Sequence, residues 1–248
     1  MDLENIQPII NEPALFIKNK KILVIADLHI GIESELKEKG LNIDMKTQKI
    51  IDHILRLIKK FKPKEIILLG DVKHNIPSTT NLERRDVKNF LATIQGYVNI
   101  HIIPGNHDGN IRYLCPEEIV VHPSEGYIVD NVGFFHGHRW PSREVISCDM
   151  VIMGHTHPNV ILTDRLGVKN FENCWVRGKF KKDTLIEKYQ IKKFDTEILI
   201  MPAFNPLCGG ISVNREGIIG PVGRIIDLNN SDIYLIDGTF IGKIKNIK

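Results

Sequence analysis

Five short polar clusters in this chain combine residue types that can hold a cation and move a proton. They are Asp27-Leu28-His29, Gly70-Asp71, Gly105-Asn106-His107-Asp108, His136-Gly137-His138 and Gly154-His155-Thr156-His157. Carboxylate, imidazole and amide oxygen suit Mn, Fe, Zn or Ni, and no cysteine lies in any cluster to select a softer ion. Histidine can also take up or release a proton near neutral pH. Taken singly, each motif has a plain alternative, such as a turn after a strand. Together they share one plan: each closes an apolar run.

The elements that must position them follow from periodicity. Residues 14–17 and 21–26 flank a polar 18–20 and read as a hairpin. The second run is apolar from Ile22 to Ala26, as in a strand covered on both faces. Alternate strand residues share a face, so Asp27 and His29 point the same way. Residues 32–39 predict a short helix stopped by Gly40. Residues 47–61 predict a longer one, with Ile50, Ile51, Ile54, Ile58 and Phe61 on one face. His53 lies off that stripe and reads as a surface residue. Residues 65–69 form a strand ending in Gly70-Asp71. Thr80 with Glu83 fits a capping box ahead of a helical face of Val87, Phe90, Leu91 and Ile94. A strand then leads through Pro104 to Gly105. Short strands at 119–121 and 127–129 follow, then 132–135 before His136, a short helix at 142–146, and 150–153 before Gly154.

This alternation predicts a layered α/β domain. Ligands in such domains collect at the carboxyl ends of strands, where all the clusters sit. Beyond His157, strands are expected at 160–162 and 198–201, with a closing hairpin of 224–227 and 233–236 around Asn229-Asn230-Ser231. No linker divides the chain, so residues 1–248 read as one domain. Its 248 residues, 42% hydrophobic and 25% charged, allow a full core and exclude disordered and collagen-like classes. A net charge of +3 argues for no partner by itself. Cys115, Cys148, Cys174 and Cys208 are widely spaced, which fits reduced thiols in a cytoplasmic protein. No apolar run approaches the roughly 18 residues of a membrane span, and residues 1–4 do not resemble a signal peptide.

In order and spacing the clusters resemble those of the calcineurin-like metallophosphoesterases. The resemblance implies a four-layer sandwich of two mixed β-sheets flanked by helices, with the site on loops at one edge. It also implies that Asp27, His29 and His157 bind one divalent ion, that Asn106, His136 and His155 bind another, and that Asp71 bridges both. Two such ions, Mn2+ first and Fe, Zn or Ni otherwise, would clamp a phosphate and ionise a water. His107 would stabilise the transition-state charge or protonate the leaving oxygen. Where much of that superfamily has an Asp three residues after the bridging one, this chain has His74. Asp27-Leu28-His29-Ile30-Gly31 with Gly70-Asp71-Val72-Lys73-His74 looks like the nucleases of the SbcD type. Their short relatives, the ligase-associated DNA-damage endonucleases and archaeal SbcD-related phosphoesterases, are closer still, and 202–206 before Gly209-Gly210 resembles their end. That branch tends to carry His at the position of His74, so His74 joins His107 as a catalytic candidate. His138 and Arg139 are candidates for contacting substrate phosphate.

The leading expectation is therefore hydrolysis of phosphodiester bonds in nucleic acid. Residues 165–193 carry nine Lys/Arg against three Asp/Glu, interleaved with Phe171, Trp175, Phe180 and Tyr189. A positive groove with aromatics is how single strands are held; the alternative is a solvated basic loop with its aromatics in the core. The same chemistry on a small nucleotide-like phosphodiester or phosphomonoester is the second reading. A non-enzymatic scaffold on the same fold is the third.

Overall fold

In a computed structural model, which describes residues 5–41, 47–191 and 195–247, the apolar runs assemble into two sheets. The first contains, side by side and in chain order, β1 (Ile6–Pro8), β2 (Ala14–Ile17), β3 (Ile22–Ile25), β4 (Glu65–Leu69), β5 (Asn99–Ile103) and β6 (Val120–Val121). Pairing is antiparallel from β1 to β3 and parallel from β3 to β6. The second sheet holds β7 (Tyr127–Val129), β8 (Val132–Phe135), β9 (Met150–Met153), β10 (Pro158–Thr163), β11 (Lys169–Lys179), β12 (Glu197–Ile200) and β13 (Ile211–Ser212). Its order is β13-β10-β11-β12-β9-β8-β7, and a terminal hairpin, β14 (Asp232–Leu235) with β15 (Phe240–Lys243), pairs with β11.

The period of two along the strands builds the layers. Leu23, Ile25, Ile66 and Leu68 pack outward under Ile51 and Ile54 of α2 (Thr47–Phe61) and Val87 and Phe90 of α3 (Asn81–Gln95). Their neighbours Ile22, Val24, Ile67 and Leu69 face inward, onto Phe134, Ile152, Trp175 and Leu199 of the second sheet. The far face of that sheet carries Val151, Met153, Ile198 and Ile200, covered by α4 (Arg143–Ile146) and α5 (Lys182–Tyr189). Helices, sheet, sheet and helices make the expected four layers. A further short helix, α1 (Ile32–Glu38), follows His29 directly. No described helix is long and apolar enough to cross a membrane.

Three sequence expectations change. Residues 169–179, where the sequence predicts no strand, form the longest one, β11. Trp175 and Phe180 in the basic segment are buried, only 1% and 4% exposed, so neither offers a face to a base; Phe171 does stand free, at 63%. Lys179 pairs with Glu197, the first residue of β12, which puts it at the end of that strand remote from the metal-ligand clusters. The segment's last lysines, at 192 and 193, lie outside the described residues. The closing hairpin turns at Asp237-Gly238, while residues 228–230 form a single 3₁₀ turn. His53, read as a surface residue, is part-buried, bonded to Glu12 and set against the ring of Phe204.

Candidate metal centre

β3, β4 and β5 run parallel in one sheet, and β8, β9 and β12 run parallel in the other. All six release their loops at the same edge of the sandwich, and the loops stitch the sheets together there. Asp27 N donates to Gly70 O and His29 N to Asp71 O; Gly154 N donates to His136 O, and Phe204 N crosses to Ala26 O. Glycine is required where these loops touch. A Cβ on Gly70 would lie 2.1 Å from His136 Nδ1, and one on Gly105 would lie 2.1 Å from Asp71 Oδ1. Asp27, His29, Asp71, His155 and His157 all adopt left-handed backbone, with φ of 58, 44, 49, 70 and 45°.

The result is a cluster centred on Asp71. Asp27, His29 and Asp71 offer ligand atoms within 4.8 Å of one another, and so do Asp71, His136 and His155. His157 joins the first group: its Nε2 is 3.3 Å from Asp27 Oδ1 and 3.4 Å from His29 Nε2. Asn106 is exposed, on the loop between Gly105, packed against Asp71, and His107, whose amide donates to Asp71 Oδ1 at 2.9 Å. Six of the seven expected ligands are thus gathered by their side chains, and Asn106 by its neighbours.

The outer contacts decide which nitrogen each histidine presents. His136 Nδ1 donates to Leu69 O at 3.0 Å, and His157 Nδ1 to Gly209 O at 2.9 Å. A carbonyl only accepts, so Nδ1 carries the proton and Nε2 turns inward, as metal-binding imidazoles require. His136 Nε2 is buried, makes no hydrogen bond and stands 3.3 Å from Asp71 Oδ2 in ion-pair rather than hydrogen-bond geometry. An orphaned inward nitrogen beside a carboxylate is what a divalent cation would satisfy.

Titration behaviour agrees. Burial opposes ionisation of Asp27 and Asp71, yet His157 holds Asp27, and His136 holds Asp71, below the ordinary carboxylate range. Burial also opposes a charge on His136, but Asp71 overcomes it and raises the imidazole to about 9. Burial keeps His29 neutral, at about 3, against the pull of Asp71 and Asp27. The metal-free cluster therefore carries protons where a cation would sit, and ion uptake would release them.

His107 stands at the rim. Its Nδ1 donates to the main-chain carbonyl of His74, leaving Nε2 4.0 Å from Asp71 Oδ2. His138 lies beside His136 and His155, with ring centroids 5.4 and 6.2 Å away, and burial lowers it to about 4. Arg139 is exposed, 4.0 Å from Glu125.

Three contributors have a role that the sequence does not assign, although Asp108 lies in the 105–108 cluster and Asn205 in the 202–206 stretch. Asp108 is buried and accepts from the amides of Gly105, Val72 and Lys73 at 2.8, 2.9 and 3.2 Å, clamping the Asp71 loop to the His107 loop. Asn205, after β12, donates to Leu28 O at 2.8 Å. Cys208 brings its sulfur within 4.8 Å of the ligand atoms of His29 and His157, though burial pushes its thiol far up. Asn205 and Cys208 follow the expected strand at 198–201, but no spacing in the sequence ties them to the 27–29 loop.

The family model for calcineurin-like phosphoesterases matches residues 20–159, which span every cluster described. The chain belongs to that family and is a hydrolase of phosphoester bonds. Among solved structures, the Pseudomonas putida nuclease MPE is similar at 20% identity, over 94% of this chain and 98% of that one, with a TM-score of 0.59. Yfce, a phosphoesterase from E. coli, is similar at 14% identity, over 90% and 97% of the two chains, with a TM-score of 0.38.

Proposed function

We propose that this protein cleaves phosphodiester bonds in nucleic acid with two divalent ions, Mn2+ foremost. The observation that carries the reading is the double membership of Asp71 in two adjacent donor groups. Asp27, His29, His157 and Asp71 would hold one ion; Asp71, Asn106, His136 and His155 would hold the other. Bound there, the pair would polarise the phosphoryl group and supply an ionised water. The chain supplies the rest. Glycines 70 and 105 let the loops close on the ligands, and Asp108 fixes the two loops against each other. His107, its Nδ1 pinned, presents Nε2 to protonate the leaving oxygen. His138 and Arg139 extend the rim on the His136 side, where they would meet substrate phosphate.

For a polymeric substrate the support is an open cleft of about 370 Å³ between segments 77–79 and 109–114. It lies just beyond His74 and His107 in the chain and is lined by Arg84, Ser78, Thr79 and Tyr113, the last 81% exposed. The nuclease among proteins of similar fold points the same way. Four cysteines outside any disulfide fit the reducing cytoplasm, where we place the protein. The test is a substrate panel with Mn2+: bis-p-nitrophenyl phosphate, mononucleotides, single-stranded and double-stranded DNA. Oligonucleotides should be cleaved with the highest kcat/KM. Turnover confined to mononucleotides would overturn the assignment in favour of a small substrate.

A further inference from the structure

Thr80 Oγ1 accepts from Glu83 N at 3.1 Å, as the capping box requires. The other half of the box is diverted. The Glu83 carboxylate, 1% exposed, accepts from the amides of His74 and Asn75, each at 2.7 Å. His74 is therefore fixed through its main chain. Its carbonyl receives Nδ1 of His107, and the two rings stack at 5.5 Å with an interplanar angle of 18°. Its own ring is held at both nitrogens: Nε2 lies 2.5 Å from Glu35 Oε2 on α1, and Nδ1 lies 3.2 Å from His29 Nδ1.

The direction of these bonds follows from what each atom can do. An ionised carboxylate only accepts, so His74 Nε2 carries the proton it shares with Glu35. In the neutral ring that leaves His74 Nδ1 as an acceptor. Contact with His29 Nδ1 is then a hydrogen bond only when His29 holds its proton on Nδ1. His29 Nε2 is left bare, 3.5 Å from Asp71 Oδ2 and 3.4 Å from His157 Nε2. His136 and His157 achieve the same tautomer with one carbonyl each; His29 reaches it through a second histidine and a carboxylate.

We propose that His74 is a positioning residue rather than a proton-transfer group, and that Glu35 acts through it to set the metal-facing nitrogen of His29. Without Glu35 the His74 ring is free to carry its proton on Nδ1. Two Nδ1 protons would then face each other, or His29 would shift its own to Nε2, where the ion belongs. The inference rests on reading His29 as a ligand.

The test is Mn2+ affinity, measured by competition with a chelating dye on full-length Glu35→Gln, Glu35→Ala, Lys39→Ala and His29→Ala proteins. Partners of this kind typically change metal affinity about 10–100-fold. Glu35→Gln and Glu35→Ala should weaken one of two ions by that factor, leave the other unchanged, and regain turnover at raised Mn2+. Lys39 also pairs with Glu35 but lies outside the chain of bonds to His29, so Lys39→Ala should bind as wild type does. A nitrogen-15 spectrum of the metal-free protein should show the His29 proton on Nδ1, and mixed tautomers in Glu35→Ala. Wild-type affinity in both Glu35 variants, with an ion lost in His29→Ala, would overturn the relay alone. Undiminished metal content in His29→Ala would overturn the ligand reading beneath it.

Discussion

Gly105→Ala puts the loop packing to its sharpest test. The new Cβ would lie 2.1 Å from Asp71 Oδ1, 2.5 Å from Asp71 N and 2.8 Å from Asp71 Cγ. Ordinary contact begins near 3.4 Å, so the loop has to retreat by more than 1 Å. The carboxylate cannot swing aside to make room, because the amide of the same residue is also in the way. Gly105 is not in left-handed backbone, so alanine is tolerated by its φ and the effect is purely one of space. Overpacking of this kind costs about 1–3 kcal/mol, which for a chain of this size lowers Tm by about 2–12 °C. Displacement of about 1 Å at a reacting centre can cost about 100-fold in rate. We expect kcat/KM on bis-p-nitrophenyl phosphate to fall by about that factor or more, with reduced Mn2+ content. Gly109→Ala is the control: its Cβ would meet nothing within 4 Å. It should change stability by no more than about 0.5 kcal/mol and leave turnover intact. Equal behaviour of the two variants would refute the close packing at Asp71.

His107→Ala should retain both ions by elemental analysis while losing about 10²–10⁴-fold in hydrolysis, whereas Asp71→Ala should lose the ions themselves. Trp175→Ala should cost about 3–5 kcal/mol as a core truncation, read by thermal melting. Its effect on short and long substrates should be equal per folded molecule; selective loss of oligonucleotide binding at unchanged Tm would put a base on that ring. His122, hydrogen-bonded to His101 at 2.9 Å, is lowered from 6.5 to about 4, first by burial and then by the His101 charge. The folded protein thus binds fewer protons than the unfolded chain between those values, so stability is present above pH 6.5 and declines on acidification through pH 4. His122→Gln should flatten that slope by less than one proton in pH-dependent denaturant titrations.

The ligands were legible because each cluster follows a strand rich in apolar residues, and the strand end is where backbone pairing stops and side chains become available. Helices α2 and α3 were legible from their apolar stripes. β11 was not: its first five residues are all exposed and, Phe171 apart, polar, so neither face carries an alternation to read. The terminal hairpin was misplaced because Asn229-Asn230-Ser231 outweighed Asp237-Gly238, a dipeptide that does favour tight hairpins. Glu83 shows a different limit. Its spacing from Thr80 predicts a cap, and half of that cap forms, but only the tertiary structure sends the carboxylate to His74. Cys208 and Asn205 lie more than 170 positions from the loop they support, beyond the reach of any local pattern.

The five left-handed residues carry a consequence for how this chain can change. Such backbone is disfavoured by roughly 1–2 kcal/mol for ordinary L-residues, less for Asp, Asn and His, and not at all for Gly. Asp27, His29, Asp71, His155 and His157 therefore satisfy two demands at once, a ligand atom and a tolerated φ. Glycine at His29 or His157 would keep the second demand and abandon the first. The metal-free fold would relax as catalysis disappeared. Selection for stability alone leads downhill from this enzyme toward an inert protein of the same shape, and only continued demand for hydrolysis holds histidine at those turns.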